Sequence, residues 1–175
     1  MKFITYIILM FVVVSTFTVN PSPISSQNNS NVNPISLLCL VNMERAKVNV
    51  RPLALDKRLV KAAQLHTNYM ASTKNLTHDD VSGSLGTRIS DQGFDWWMAG
   101  ENIAYGFTGE EESKVMRAWM NSRGHRANIL NRKFTHFGSG FKNNYWTQNF
   151  AQSANGYPPN VLLCPQNSMR INIQI

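Results

Sequence analysis

Three of the four histidines in this 175-residue chain sit in closely specified surroundings. His66 falls in a helical pattern on the same face as Leu59, Ala62, Ala63, Tyr69 and Met70, which aims its ring inward or toward a pocket. His78 lies in Asn75-Leu76-Thr77-His78-Asp79-Asp80, and His125 in Ser122-Arg123-Gly124-His125-Arg126. Glu101, between Gly100 and Asn102, enters an apolar run just after Trp96-Trp97. A carboxylate there needs a partner, because an unpaired ion out of water costs several kcal/mol or shifts its pKa. Imidazoles and a carboxylate are the groups of proton transfer and metal ligation. Nucleophilic catalysis has less support: no serine or cysteine has an evident neighbouring base, and Ser122, three residues before His125, reads equally as a helix cap.

The elements that must hold these groups are helices first and strands late. Residues 37–47 have helical spacing at Leu37, Leu40, Val41 and Glu44. Asp56 is placed to cap a helix running to about Ser72. Residues 75–95, rich in Gly, Ser and Asp, read as a long loop with a short turn near Leu85 and Ile89. A helix over 110–120 carries three glutamates where the helix dipole favours them and a buried stripe of Val115, Met116 and Trp119. Ser122 then caps a short helix over 124–130. Residues 137–141 and 145–151 read as antiparallel strands joined through Lys142, Asn143 and Asn144. The class expected is α+β, with helices bracketing a small antiparallel sheet in an α-β-α arrangement.

The chain opens with a weakly basic start and an almost entirely apolar run over 4–19, too short in its core to span a bilayer and suited to a cleavable signal peptide over 1–19. An uncleaved anchor is the competing reading. Residues 20–34 read as a flexible Asn/Ser/Pro-rich linker, residues 35–154 as one folded domain, and 155–175 as a tail in which 170–175 alternates like a short edge strand. The expected product is secreted, extracellular and without stable membrane insertion after cleavage. Export favours a disulfide between the two cysteines, Cys39 and Cys164, over two buried thiols or intermolecular pairing. It also opens the sequons at Asn28 and Asn75 to glycosylation in a eukaryotic source. The formal net charge of +7 favours acidic partners such as a cell wall. With no recognisable reading element, nucleic acid is not among them.

The ordered motifs Asn42-Met43-Glu44-Arg45, Pro52-Leu53-Ala54-Leu55-Asp56, His78, Gly100-Glu101-Asn102-Ile103-Ala104, Trp119-Met120-Asn121-Ser122, Gly124-His125-Arg126, Gly138-Ser139-Gly140 and Tyr145-Trp146-Thr147-Gln148-Asn149-Phe150 span 38–151. Together they resemble the CAP superfamily, the cysteine-rich secretory, antigen 5 and pathogenesis-related 1 group, in its shorter bacterial and fungal form. The resemblance implies a three-layer α-β-α sandwich with a cleft to which His66, Glu101 and His125 correspond. Ser122 stands where larger members have a second glutamate, so the full tetrad is absent. His66, Glu101 and His125 are competent to hold zinc or magnesium with water completing the shell, and no cofactor is required if they form only a hydrogen-bonded cluster. His78 is read as structural. Fungal members bind sterols and fatty acids, which implies a small apolar ligand here, with Phe94, Trp96, Trp97, Tyr105 and Phe107 available to line a groove. A secreted protein acting on a host or cell-wall partner also fits. A metal-dependent hydrolase or protease using His66, Glu101 and His125 is the alternative.

Overall fold

The protein is described by a computed structural model over residues 32–158, Val161 and Cys164. The signal peptide expected at 1–19, nearly all of the linker expected at 20–34 with its Asn28 sequon, and the strand expected at 170–175 lie outside the described residues.

Local sequence sets the helix boundaries. Asn33 accepts the Ile35 N–H at 3.0 Å and Pro34 occupies the first turn, so α1 (Pro34–Ala46) starts just before the boundary expected at 35. Asp56 caps α2 (Lys57–Thr73), accepting the Arg58 N–H at 2.8 Å, and the helix closes on Lys74 in the left-handed region. The expected turn in the long loop is a helix, α3 (Leu85–Ser90), capped by Ser84. Further on, α4 (Glu112–Asn121) and α5 (Arg123–Ile129) meet at Ser122. That residue starts α5 without a side-chain capping bond, so the capping expected there comes from backbone alone.

The sheet has four strands, β1 (Ala54–Leu55), β2 (Trp96–Tyr105), β3 (His136–Lys142) and β4 (Tyr145–Ser153), in the order β1-β3-β4-β2. β3 and β4 form the expected hairpin, turning on Asn143 and Asn144 with φ of 48° and 66°, as a two-residue hairpin loop of the favoured hand requires. The sheet is mixed, not purely antiparallel as expected: β1 pairs with β3 in parallel, a pairing that needs a long crossover and receives one from the chain between them. β2 pairs antiparallel with β4 along its length, placing Glu101 opposite Asn149 and Asn102 opposite Gln148.

Helices cover both faces. On one, Leu37, Leu38 and Val41 of α1, Val115, Met116 and Trp119 of α4 and Ile129 of α5 pack with Phe137, Trp146 and Phe150. On the other, Leu59 and Ala62 of α2 and Ile89 of α3 pack with Phe94 and Ala151. α2 lies so close to β3 that a Cβ at Gly138 would sit 2.2 Å from Leu59 C and Val60 N, and one at Gly140 would sit 2.6 Å from Gln64 Cα. The two glycines therefore set the depth at which α2, with His66 on it, presses onto the sheet. At the far edge of α1, the guanidinium of fully buried Arg45 donates to the carbonyls of Arg51, Ile129, Asn131 and Phe134. Burial lowers its pKa to about 10. Cys39 in α1 is bonded to Cys164, their Cα atoms 5.5 Å apart.

Candidate functional site

Glu101 is the centre of a buried polar cluster. Oε1 lies 2.8 Å from His78 Nδ1 and 3.7 Å from His66 Nε2, while Oε2 accepts from Arg88 Nη2 at 2.9 Å. Its side chain is 3% exposed. The Asn149 amide, oriented with nitrogen toward Glu101, donates to Oε2 at 3.1 Å and accepts from the Ala63 N–H at 3.2 Å. Four residues from four different segments thus converge on one carboxylate: α2, the loop after it, α3 and β4.

His66 is fully buried, and both ring nitrogens face oxygen acceptors: Nδ1 is 2.8 Å from Asp80 Oδ2, and Nε2 is 2.9 Å from the Thr77 carbonyl. Both lone-pair positions of the ring are therefore committed to the loop, which leaves nothing to offer a metal. Burial alone would raise the Asp80 pKa, yet hydrogen bonds from His66 and Ser82 outweigh it and hold the carboxyl below its usual range. Arg88 Nη1 stands 3.7 Å from Asp80, and its Nε and Nη1 have no protein acceptor. His66, Asp80, Arg88 and Glu101 together clamp the 74–84 loop to α2 and β2.

The histidine turned outward is His78, not His66. Its side chain is 58% exposed with Nδ1 on Glu101, and the bond to Glu101 raises its pKa. His125, from α5, makes no hydrogen bond through its ring among the described residues; burial first and the neighbouring His78 second lower its pKa. Of the residues read from sequence as a cleft, His66, Glu101, Ser122 and His125, the structure places His66 and Glu101 in one buried cluster with His78 bonded to Glu101 at its exposed edge, and the His125 ring makes no hydrogen bond to that cluster. Ser122 bonds into the helix backbone and not into the cluster. Among the described residues, no three of His, Cys, Asp and Glu are arranged to hold a metal ion, so His66, Glu101 and His125 do not fit the zinc or magnesium site expected of them. The signal that separates the two histidines is in the sequence: Asp79-Asp80 follows His78 closely enough to reach back to α2.

A second polar layer lies on the opposite face of β2. Asn102 donates to Gln148 Oε1 at 3.0 Å and to the His125 carbonyl at 3.2 Å, and Asn128 donates to Asn102 Oδ1 at 2.9 Å and to the Glu101 carbonyl at 3.2 Å. Thr147, Gln148 and Asn149 are fully buried in the middle of β4, each with a partner. The strand motif is thus a satisfied hydrogen-bonding spine: Gln148 holds Asn102, which with Asn128 ties β2 to α5, while Thr147 and Asn149 bond to α2 on the other face.

The aromatic residues expected to share a groove are dispersed. Phe94 is core under α2, Phe107 packs against the core on the other face, and Trp97 is exposed. Tyr105 stands at the hairpin end of β2 against Tyr145.

The profile of the family described as CAP, the cysteine-rich secretory protein family, matches residues 38–153. The Bacillus subtilis protein YkwD is 38% identical over 139 residues, covering 78% of this chain and 51% of that protein. The B. subtilis membrane protein YlbC is 32% identical over 136 residues, covering 75% and 39%. The chain thus spans about half the length of the first curated relative and less of the second. Among solved structures, an extracellular protein containing a SCP domain from Bacillus anthracis superposes with a TM-score of 0.65 at 32% identity, over 69% of this chain and 40% of that one.

Proposed function

The chain belongs to the cysteine-rich secretory protein family, and on that premise we propose that it is an exported domain that recognises an acidic extracellular partner, such as a wall polymer, without transforming it. The observation that carries this reading is the engagement of Glu101: Oε1 accepts from His78 and Oε2 from Arg88 and Asn149, so most of the acceptor capacity of a side chain only 3% exposed is committed to the protein itself. A buried carboxylate so engaged is suited to holding a loop in place. The N-terminal leader read at 1–19, the net charge of +7 and the extracellular description of the B. anthracis relative support export and an acidic partner. Among the described residues no helix is long and apolar enough to cross a membrane.

The test uses the full chain expressed in a Gram-positive host. The protein is expected in the medium or on the wall, to co-sediment with isolated walls in a salt-sensitive manner, and to leave a panel of peptide and ester substrates intact. Retention in the cytosol overturns the reading. So does hydrolysis that disappears in His78→Ala, a change at an exposed side chain that the fold survives.

A further inference from the structure

The hairpin end of the molecule carries a surface separate from the clamp. Tyr105, the last residue of β2, pairs across the ladder with Tyr145, the first of β4, and their ring centroids lie 4.5 Å apart with planes at 40°. Tyr145 is 7% exposed and Tyr105 55%, so one ring is seated on the other and keeps its outer surface in water. With Ala71, Lys74, Leu76 and Asn143 the two rings line an open depression of about 410 Å³.

The backbone of this surface is held by its own hydrogen bonds. The Gly106 N–H donates to the Asn144 carbonyl at 3.1 Å, tying the end of β2 to the hairpin turn. Asn143 sits in that turn at positive φ, and Lys74 is locked as the left-handed end of α2 by its N–H to Met70 O. Lys74 has no carboxylate within ion-pair distance among the described residues. A backbone preset in this way lowers the ordering cost of binding.

The chemistry of the lining selects the ligand. An aliphatic chain needs a concave site that buries most of its surface, and this depression is open, with an ammonium and a carboxamide at its rim. A pyranose ring matches it: one face of C–H bonds suits the exposed phenol ring, whose face is the negative part of its quadrupole. The sugar's hydroxyls suit the Asn143 amide, which both donates and accepts. Lys74 adds a positive charge that a neutral sugar would leave unpaired. We propose that this depression binds a saccharide bearing an anionic substituent. The proposal rests on the reading of the chain as an extracellular recognition domain and names the ligand class that it takes.

The experiment titrates the full exported protein with an acidic tetrasaccharide of galacturonate and, in parallel, with the neutral tetrasaccharide of N-acetylglucosamine, a fatty acid and inorganic polyphosphate. Binding is read from the Tyr105 and Tyr145 ring resonances. The expected result is saturable binding of the uronate that shifts both tyrosines. It weakens about tenfold in Tyr105→Ala, equivalent to about 1.4 kcal/mol, and severalfold in Lys74→Gln, and it persists in Tyr105→Phe, which keeps the ring on Tyr145; circular dichroism checks that each variant is folded at the titration temperature. Equal affinity for the neutral sugar removes the role of Lys74 and overturns the proposal. Polyphosphate binding that ignores Tyr105, or a fatty acid that alone shifts the tyrosines, overturns it too. Wall binding that survives Tyr105→Ala sinks this site and leaves the broader recognition function standing; loss of export sinks the latter.

Discussion

Replacing Glu101 by alanine tests whether the cluster is a clamp. The change removes the carboxylate that Arg88 meets at 2.9 Å and leaves the guanidinium, 4% exposed, facing only Asp80 at 3.7 Å. Removing one partner of a buried ion pair costs about 3–5 kcal/mol, because the remaining charge stays desolvated without compensation. For a domain of this size that is a fall in thermal midpoint of roughly 10–20 °C, or about 1.5–2.5 M in the urea midpoint at an m-value of about 2 kcal/mol/M. Trp119 and Trp146, both buried in the core, report unfolding by fluorescence. The double substitution Arg88→Met with Glu101→Ala takes away the stranded charge as well. It should therefore be less damaging than the sum of the two single changes by about 2 kcal/mol or more. A loss below about 1 kcal/mol in Glu101→Ala, or strict additivity in the double variant, would refute the reasoning and show a solvated cluster.

Further outcomes follow from individual contacts. Gly138→Ala pushes a methyl into the backbone of α2 at 2.2 Å and should cost about 1–3 kcal/mol or more by thermal unfolding, whereas Gly124→Ala, with open space at its Cβ inside α5, should be neutral or stabilise by up to about 1 kcal/mol. Imidazole NMR should find His78 titrating above 6.5 and His125 below it, and His78→Ala should move His125 back toward its ordinary value. Because the folded pKa of His78 is raised, its contribution to stability is complete below pH 6.5 and fades as pH rises through the folded value. That of Asp80, whose pKa is depressed, is present above 3.8 and fades as pH falls through its own folded value. Arg45→Met strips the donors from the Arg51, Ile129, Asn131 and Phe134 carbonyls and should cost about 3 kcal/mol or more; a loss under about 1 kcal/mol would show that those carbonyls find other partners.

What the sequence disclosed depended on how local the cause was. The Asp56 cap, the apolar face of α2 and the Asn143-Asn144 turn are decided within a few residues, and each stands in the structure where its signal lies. The family motifs carried the layer order. β2 was harder, because Glu101, Asn102 and Ile103 are buried in succession and the period-two alternation that marks a strand is absent there. The parallel pairing of β1 with β3 arises from a contact between residues about eighty apart, which no local pattern encodes. The helix-face argument placed His66 inward correctly but could not say what it would meet. Thr77 and Asp80, both loop residues, occupy its two nitrogens, and His78 is the histidine that bonds Glu101 at the cluster's exposed edge.

The bond between Cys39 and Cys164 gives the folded domain the topology of a closed ring. Almost the whole fold, α1 to β4, lies between the two sulfurs. A protease that cuts the exposed stretch around Val81 therefore opens the ring and releases no fragment, and the two arms stay joined at α1. A single nick thus becomes survivable damage, visible on a gel only after reduction.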